Sequence, residues 1–394
     1  MVRHARMTPI LVVLLGSAVL IGGCSTSDRN VSSGSPDEDT TVPGPSGVAE
    51  TTEAPTTTEP SPLGSGNPVT IAFAGDASFE NLAPAAEANP TGLLSAITPL
   101  LSSADLAMVN VETAVGTGGS PVAKTFTFQT PQASLTALES AGVDVVTMAN
   151  NHGMDFGPDG LTDTLRIKAE GGLPIIGLGA EENEAYAPFL TEVNGQRIGI
   201  IAANDIFDSN LVSSWTAGPA KPGIASAEEA HQDRLVQEVR ATRAKVDTLA
   251  VYLHYGTEKE TCPNARQKEL VQLLIGAGAD IVVGSHAHRL QGMGYLGDQM
   301  VAYGLSNFIF KAPSAEGTKS GVLVVTATGR RIDGYEWKPA QIQNLLPVPL
   351  SGSDATAAVD SMNQLQECAE LSPTPTGPGV GTETATTAPT TDEG

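Results

Sequence analysis

The pentapeptide Gly284-Ser285-His286-Ala287-His288 directly follows Ile281-Val282-Val283, an apolar run that reads as a buried strand. Two imidazoles at i and i+2 share one face if the strand continues. In a tight turn after the strand, both can still reach one metal cluster, and imidazole is a common ligand for zinc, manganese and iron. The chain holds only six histidines, and four of them, His152, His254, His286 and His288, sit at the ends of such runs. Two more blocks repeat the pattern. Asp76 follows Ile71-Ala72-Phe73-Ala74-Gly75, and Asn110 and Glu112 end the run from Leu106 to Val111. Buried parallel strands read as unbroken apolar runs, and chemistry gathers at their carboxyl ends. A His-poor chain with this placement looks like an α/β metal-dependent hydrolase.

The rest of the core supports that fold class. Short β-branched runs alternate with amphipathic stretches. Strands are expected at 69–74, 106–111, 143–148, 197–202, 248–253 and 280–283, and again at 301–303 and 322–326. Helical spacing appears at 93–101, 133–141, 159–169, 225–245 and 265–275. Strand–helix alternation implies a sheet with helices on its faces. The last strands lack intervening helices, so part of the sheet is expected to be antiparallel.

The ends of the chain differ from the core. Arg3 and Arg6 precede an apolar segment, Ile10 to Ile21, too short to span a bilayer comfortably. It ends in Leu20-Ile21-Gly22-Gly23-Cys24. Residues 1–24 are therefore expected to be a lipoprotein signal peptide whose Cys24 is lipidated after cleavage. The plainer alternative is a secretory signal with a chance cysteine. The expected location is the extracytoplasmic face of a bacterial cell membrane, held by the lipid. Residues 25–68 and 371–394 are rich in Ser, Thr, Pro and Gly and cannot bury enough apolar surface to order themselves. They read as a tether and a tail around a domain at 69–370. Cys262 and Cys368 remain, either bridged, as exported pairs often are, or as separate thiols. The net charge of −23 excludes an electrostatic footprint for nucleic acid.

Each polar block has its own chemistry. Asp76 can supply a carboxylate ligand, with Gly75 allowing close backbone approach, although taken alone the pair also reads as a turn cap. Asn110 and Glu112 share a strand face, and Glu112 is a candidate carboxylate bridging two cations. In Asn150-Asn151-His152, an amide carbonyl can coordinate a hard cation while the adjacent imidazole handles protons. His254 ends a strand, and Glu258 lies four residues on as a ligand or an orienter of imidazole.

Taken in order, these blocks resemble the CapA family of poly-γ-glutamate capsule proteins, a branch related to calcineurin-like metallophosphoesterases. The resemblance rests on Gly75-Asp76, Asn110-Val111-Glu112, Phe126-Thr127-Phe128, and Ala149 to Gly157 with Asp155. It also rests on His254-Tyr255-Gly256 with Glu258, Gly276 to His288, and Tyr303 to Phe308. It implies a four-layer α/β/β/α sandwich around a metal centre. Carried over by motif, Asp76, Glu112, Asn151, His254, His286 and His288 would hold two divalent ions (manganese, iron or zinc). His152 would be the proton donor, with Asn110, Asp155, Glu258 and Asn307 supporting the site. One departure is Asp76-Ala77-Ser78, where related phosphoesterases have Asp-x-His.

The resemblance implies work on poly-γ-glutamate, a related envelope polymer or a phosphoester, beside membrane partners that make the polymer. The sequence leaves phosphoester and amide chemistry equally open. The rival reading is a non-catalytic accessory protein that binds an anionic polymer within a membrane synthesis complex. A purely structural metal domain is disfavoured by the open ligand set at Ser78.

Overall fold

The structure is a computed structural model and describes residues 63–377. Strands β1 (Val69–Ala77), β2 (Leu106–Val111), β3 (Val145–Thr147) and β4 (Ile175–Ile176) lie side by side in parallel. Almost every residue in them is buried, which is why they read as unbroken apolar runs. Their connections carry helices α1 (Ala83–Ala88), α2 (Ala133–Ser140) and α3 (Gly157–Glu170). Each connection steps in the same direction across the sheet. Right-handed crossovers then put all three helices on one face.

A second sheet contains β5 (Phe189–Val193), β6 (Gln196–Asn204), β7 (Thr248–Tyr255), β8 (Ile281–His286), β9 (Met293–Leu296) and β10 (Gln299–Ala302). Its spatial order is β9-β10-β8-β7-β6-β5, with β6, β7, β8 and β10 parallel. Helices α4 (Gln232–Arg243) and α5 (Ala265–Ala277) make the crossovers. Alternating side chains divide between two cores. Ile198, Ile200, Tyr252, Ile281 and Val283 join a cluster shared with the first sheet. Ile201, Val251, Leu253 and Val282 pack instead with Leu235 and Val239 of α4 and Leu270 and Leu274 of α5. The sheets therefore pack face to face with helices outside each, in the order α/β/β/α. The Tyr252 hydroxyl donates to the Ala74 carbonyl at 2.9 Å and ties β7 to β1.

The chain then returns to the first sheet through β11 (Asn307–Ile309), β12 (Lys319–Thr328), β13 (Arg331–Gln343) and β14 (Leu346–Pro349). β11 runs parallel to the end of β1, whereas β12, β13 and β14 form an antiparallel edge, followed by α6 (Gly352–Gln364).

Several boundaries differ from the sequence expectation. The stretch 225–245 is helical only over Gln232–Arg243, because Ala225 and Ala227 are hydrogen-bonded to Asn204 at the end of β6. The stretch 93–101 is mostly turns, with helix only at Thr98–Leu101. Residues assigned to the tether pack on the domain: Ser65 Oγ and Asn67 Nδ2 both donate to the Asn194 carbonyl at 3.1 Å. At the other end, Ser372 pairs with Tyr295 and the Thr376 amide donates to the Gly297 carbonyl, so the ordered chain passes residue 371. Cys262 and Cys368 are joined by a disulfide, with Cα atoms 5.6 Å apart. The expected signal peptide, Cys24 and most of the tether and tail lie outside the described residues.

Candidate metal centre

Five strand ends and loops meet at the carboxyl edges of both sheets. Gly75 lets β1 touch the chain at Leu305-Ser306. A Cβ there would lie 1.9 Å from the Ser306 carbonyl oxygen, so no larger residue fits. The next residue, Asp76, is thereby locked, its amide donating to the Ser306 carbonyl at 3.0 Å. Its carboxylate accepts from Asn110 Nδ2 at 2.7 Å and from the His286 amide at 3.1 Å. Asn110 lies opposite Asp76 in the β1–β2 register, which is how two residues far apart in sequence come to share a hydrogen bond. Glu112 follows two residues later and is fully buried.

From the second sheet, His254 of β7 stands beside Ser285 of β8. Its Nε2 lies 2.8 Å from Asn151 Oδ1, 3.1 Å from His286 Nδ1 and 3.3 Å from Glu112 Oε1. His286 and His288 have φ of 94° and 51°, a left-handed backbone that non-glycine residues adopt at some cost. The pair is therefore a tight turn rather than one face of a continuing strand, and the turn brings both imidazoles to the centre. His288 Nδ1 contacts Asn307 Oδ1 at 2.8 Å and Asp76 Oδ2 at 3.4 Å, and its Nε2 lies 3.9 Å from Glu112 Oε1.

Two donor groups result, Glu112 with His254 and His286, and Asp76 with Glu112 and His288, the donor atoms of each lying within 4.8 Å of one another. Asn151 joins the first through its side-chain oxygen Oδ1. Glu112 is common to both, and neither of its oxygens has a hydrogen-bond partner among the described residues. An ionised carboxylate buried without a partner is costly, and a cation between these donors removes that cost.

Protonation follows the same logic. Burial, reinforced by the negative charge of Asp76, pushes the Glu112 carboxyl up to about 8. Burial pulls His254 down to about 3 against the pull of Asp76, and holds His286 well below the usual imidazole range. Both imidazoles are thus neutral, the form that ligates metal. Burial would also lower His288, but Glu112 and Asp76 outweigh it and raise it to about 9. Burial opposes ionisation of Asp76 too, yet its hydrogen bond to His288 and the nearby imidazoles take it well below the carboxylate range. Excess carboxylate charge is thus balanced by protons on Glu112 and His288, which are the sites where cations would replace them.

His152 sits apart from the donors, with Nδ1 2.5 Å from Asp155 Oδ2 and Nε2 4.0 Å from Glu112 Oε1. The carboxylate fixes the ring and leaves Nε2 facing the centre. The Phe128 ring packs on it, centroids 4.4 Å apart.

The structure brings together Asp76, Asn110, Glu112, Asn151, His152, Asp155, His254, His286, His288 and Asn307. Glu258 is the exception. Gly256, at φ 104°, turns the chain outward after β7, and Glu258 is exposed and makes no hydrogen bond or ion pair to any residue of the site. Asn150 and Asn151 have separate jobs, and Asn151, the one carried over by motif as a ligand, is the one that faces His254. Asn150 Nδ2 donates to Asn110 Oδ1 at 2.9 Å and to the Val111 carbonyl at 2.8 Å, and its Oδ1 accepts from the His152 amide. Sequence reasoning missed Ser285, whose hydroxyl is 3.2 Å from His254 Nδ1, although it lies inside the Gly284–His288 block. It also missed Lys124, which no local pattern marks. Ser78, where related phosphoesterases carry a ligating histidine, accepts instead from the Glu80 amide at 3.3 Å.

The profile of the family described as bacterial capsule synthesis protein PGA_cap matches residues 70–312. The PGA biosynthesis protein CapA of Bacillus subtilis is 29% identical over 228 residues, 56% of this chain and 57% of that protein. The capsule biosynthesis protein CapA of Bacillus anthracis is 31% identical over 178 residues, 44% of this chain and 42% of that protein. A probable polyglutamine synthesis accessory protein of Mycobacterium tuberculosis is 26% identical over 213 residues, 53% and 56% of the two chains. The chain spans about half the length of these curated relatives. Among solved structures, a putative 5'-nucleotidase from Staphylococcus aureus aligns with a TM-score of 0.46 at 16% identity, covering 75% of this chain and 58% of that one.

Proposed function

Because the chain belongs to the bacterial capsule synthesis protein family, we propose that it is a lipid-anchored extracytoplasmic protein of poly-γ-glutamate or related envelope-polymer biosynthesis, acting as a metal-dependent hydrolase or transferase. The observation that carries the metal chemistry is Glu112, buried, without a hydrogen-bond partner among the described residues and shared by two donor triads. Asp76, Glu112, Asn151, His254, His286 and His288 would hold two divalent ions. When bound, such ions stabilise charge on a substrate oxygen and lower the pKa of water. The protein's own groups do the rest. His152 gives a proton from Nε2 to the leaving group, while Asp155 holds its ring and tautomer. Asn307 orients His288, and the Phe128 and Phe310 rings, each packed on a site imidazole, keep water from that side. Membrane attachment rests on the lipobox ending at Cys24.

The test is elemental analysis of the purified full chain, with phosphomonoester, phosphodiester and poly-γ-glutamate as substrates. About two metals per chain, with turnover lost in His286→Ala and in His152→Ala and metal retained in the latter, is the expected result. Absence of metal from the wild-type chain overturns it. The accessory, polymer-binding reading is favoured by one observation, the non-ligating Ser78. Bound metal with poly-γ-glutamate affinity but no turnover selects it.

A further inference from the structure

Lys124 lies in an irregular segment between β2 and α2, and its side chain is only 6% exposed. The segment is laid against the loop that carries Asn151 and His152. The Ser120 amide donates to the Phe156 carbonyl, the Val122 amide to the Asp155 carbonyl at 2.9 Å, and the Phe128 amide to Asp155 Oδ2 at 2.8 Å. At the centre of this clamp the Lys124 ammonium donates to the Asn151 carbonyl oxygen and to Asp155 Oδ1, the latter at 2.8 Å. From the other side it meets the chain that follows β6. Asp208 Oδ2 is 3.6 Å away, and the Trp215 ring lies with its centroid 5.0 Å from Nζ.

We infer that Lys124 is the positioning residue of the metal centre, setting Asn151 and the His152–Asp155 pair in place together. The physical reason is that one buried cation satisfies two groups with different tasks. Its bond to the Asn151 backbone carbonyl fixes the residue whose side-chain oxygen faces His254 Nε2 at 2.8 Å. Its bond to Asp155 neutralises a fully buried carboxylate whose other oxygen holds His152. An ammonium has three donors, enough for Asn151, Asp155 and the Asp208 side. The inference rests on the metal-centre reading above and adds to it a residue that touches no metal.

The test uses the full chain and zinc or cobalt(II) as the probe. The Lys124→Met variant keeps the stem and removes the charge. Because it leaves Asp155 buried without a counter-charge, a Lys124→Met/Asp155→Asn variant, neutral at both positions, runs beside it. Groups that orient metal ligands typically change affinity by about 10–100-fold, and a loss of that size is expected in both variants. The cobalt(II) visible spectrum is expected to change as well, since Asn151 shifts relative to the imidazoles. A merely structural role would lower melting temperature equally with and without metal. A positioning role shrinks the metal-induced rise itself. Unchanged zinc affinity and an unchanged cobalt spectrum in the double variant, against a wild-type chain that binds metal, overturn the Lys124 assignment alone. A wild-type chain that binds no metal overturns the metal centre and this assignment with it.

Discussion

Glu112 is the residue on which the electrostatics of the centre turn. Its folded carboxyl titrates near 8, against 4.5 ordinarily, because burial and Asp76 oppose its charge. At Glu112 a metal-free native state therefore holds a proton that the unfolded chain has lost between those values, so this group's contribution to stability falls as pH rises through that window. His254 and His286, neutral when folded, act in the opposite sense because the unfolded chain takes up their protons below about pH 6.5, so in chelator Glu112→Gln should make urea stability rise more steeply with pH than the wild type between about pH 5 and 6. An equal slope in both proteins would show that Glu112 is ionised without metal. The same shifts predict that metal uptake at pH 7 releases about two protons, one from Glu112 and one from His288, because both must be deprotonated to ligate. Calorimetry in buffers of different ionisation heat reads that number directly, and Glu112→Gln should also bind fewer metals.

At the scale of elements, the site depends on how closely β1 and β8 approach the turn before β11. A methyl group on Gly75 would collide with the Ser306 carbonyl, so Gly75→Ala should cost about 1–3 kcal/mol and shift Asp76 out of register with Asn110. Metal affinity should drop alongside urea stability; a stable variant with full affinity would mean that β1 slides without consequence. The disulfide acts on the loop beside the site. Cys262 lies in the loop after β7, where the Lys259 amide donates to the Ala287 carbonyl at 2.7 Å, between the two turn imidazoles. Its partner Cys368 follows α6, 106 residues later. Replacing both with serine should cost about 2–4 kcal/mol, chiefly by loosening the unfolded-state constraint. Denaturant unfolding under non-reducing conditions measures it, and a loss below about 1 kcal/mol would assign the bridge no stabilising role.

For the whole molecule, ligand linkage and net charge set the expectations. Metal bound only to the native state, at 100 to 1,000 times its dissociation constant, adds about 3–4 kcal/mol. In a domain of this size, chelation should lower the melting temperature by about 5–10 °C. A melt insensitive to chelator would contradict a native-state metal site. The net charge of −23 favours capture of cations and repels a polyanion over long range. Salt screens that repulsion, with a Debye length of about 30 Å at 0.01 M and 8 Å at 0.15 M. On the proposed activity, the KM for poly-γ-glutamate should therefore fall as salt is raised across that range; a KM that rises would point to a local cationic patch that dominates capture.

Much of the centre was legible in the sequence because strand-end residues betray themselves. A buried parallel strand is an unbroken apolar run, so a polar residue at its carboxyl end stands out, as Asp76, Glu112, His254 and His286 do. What local pattern could not carry was direction. Glu258 follows His254 by four residues, yet one left-handed glycine turns it to solvent. Asn151 was marked by motif, but the task of its neighbour Asn150, which ties Asn110 and the Val111 carbonyl to the His152 amide, depends on contacts that sequence does not carry. Lys124 was silent because it belongs to no periodic element and its partners lie 27 residues away or more. The residue types and their order determined the α/β class and the candidate donor residues. The packing of two sheets decided which carboxylate lies between both triads and which lysine holds the loop, since those depend on distances that register and turn geometry create.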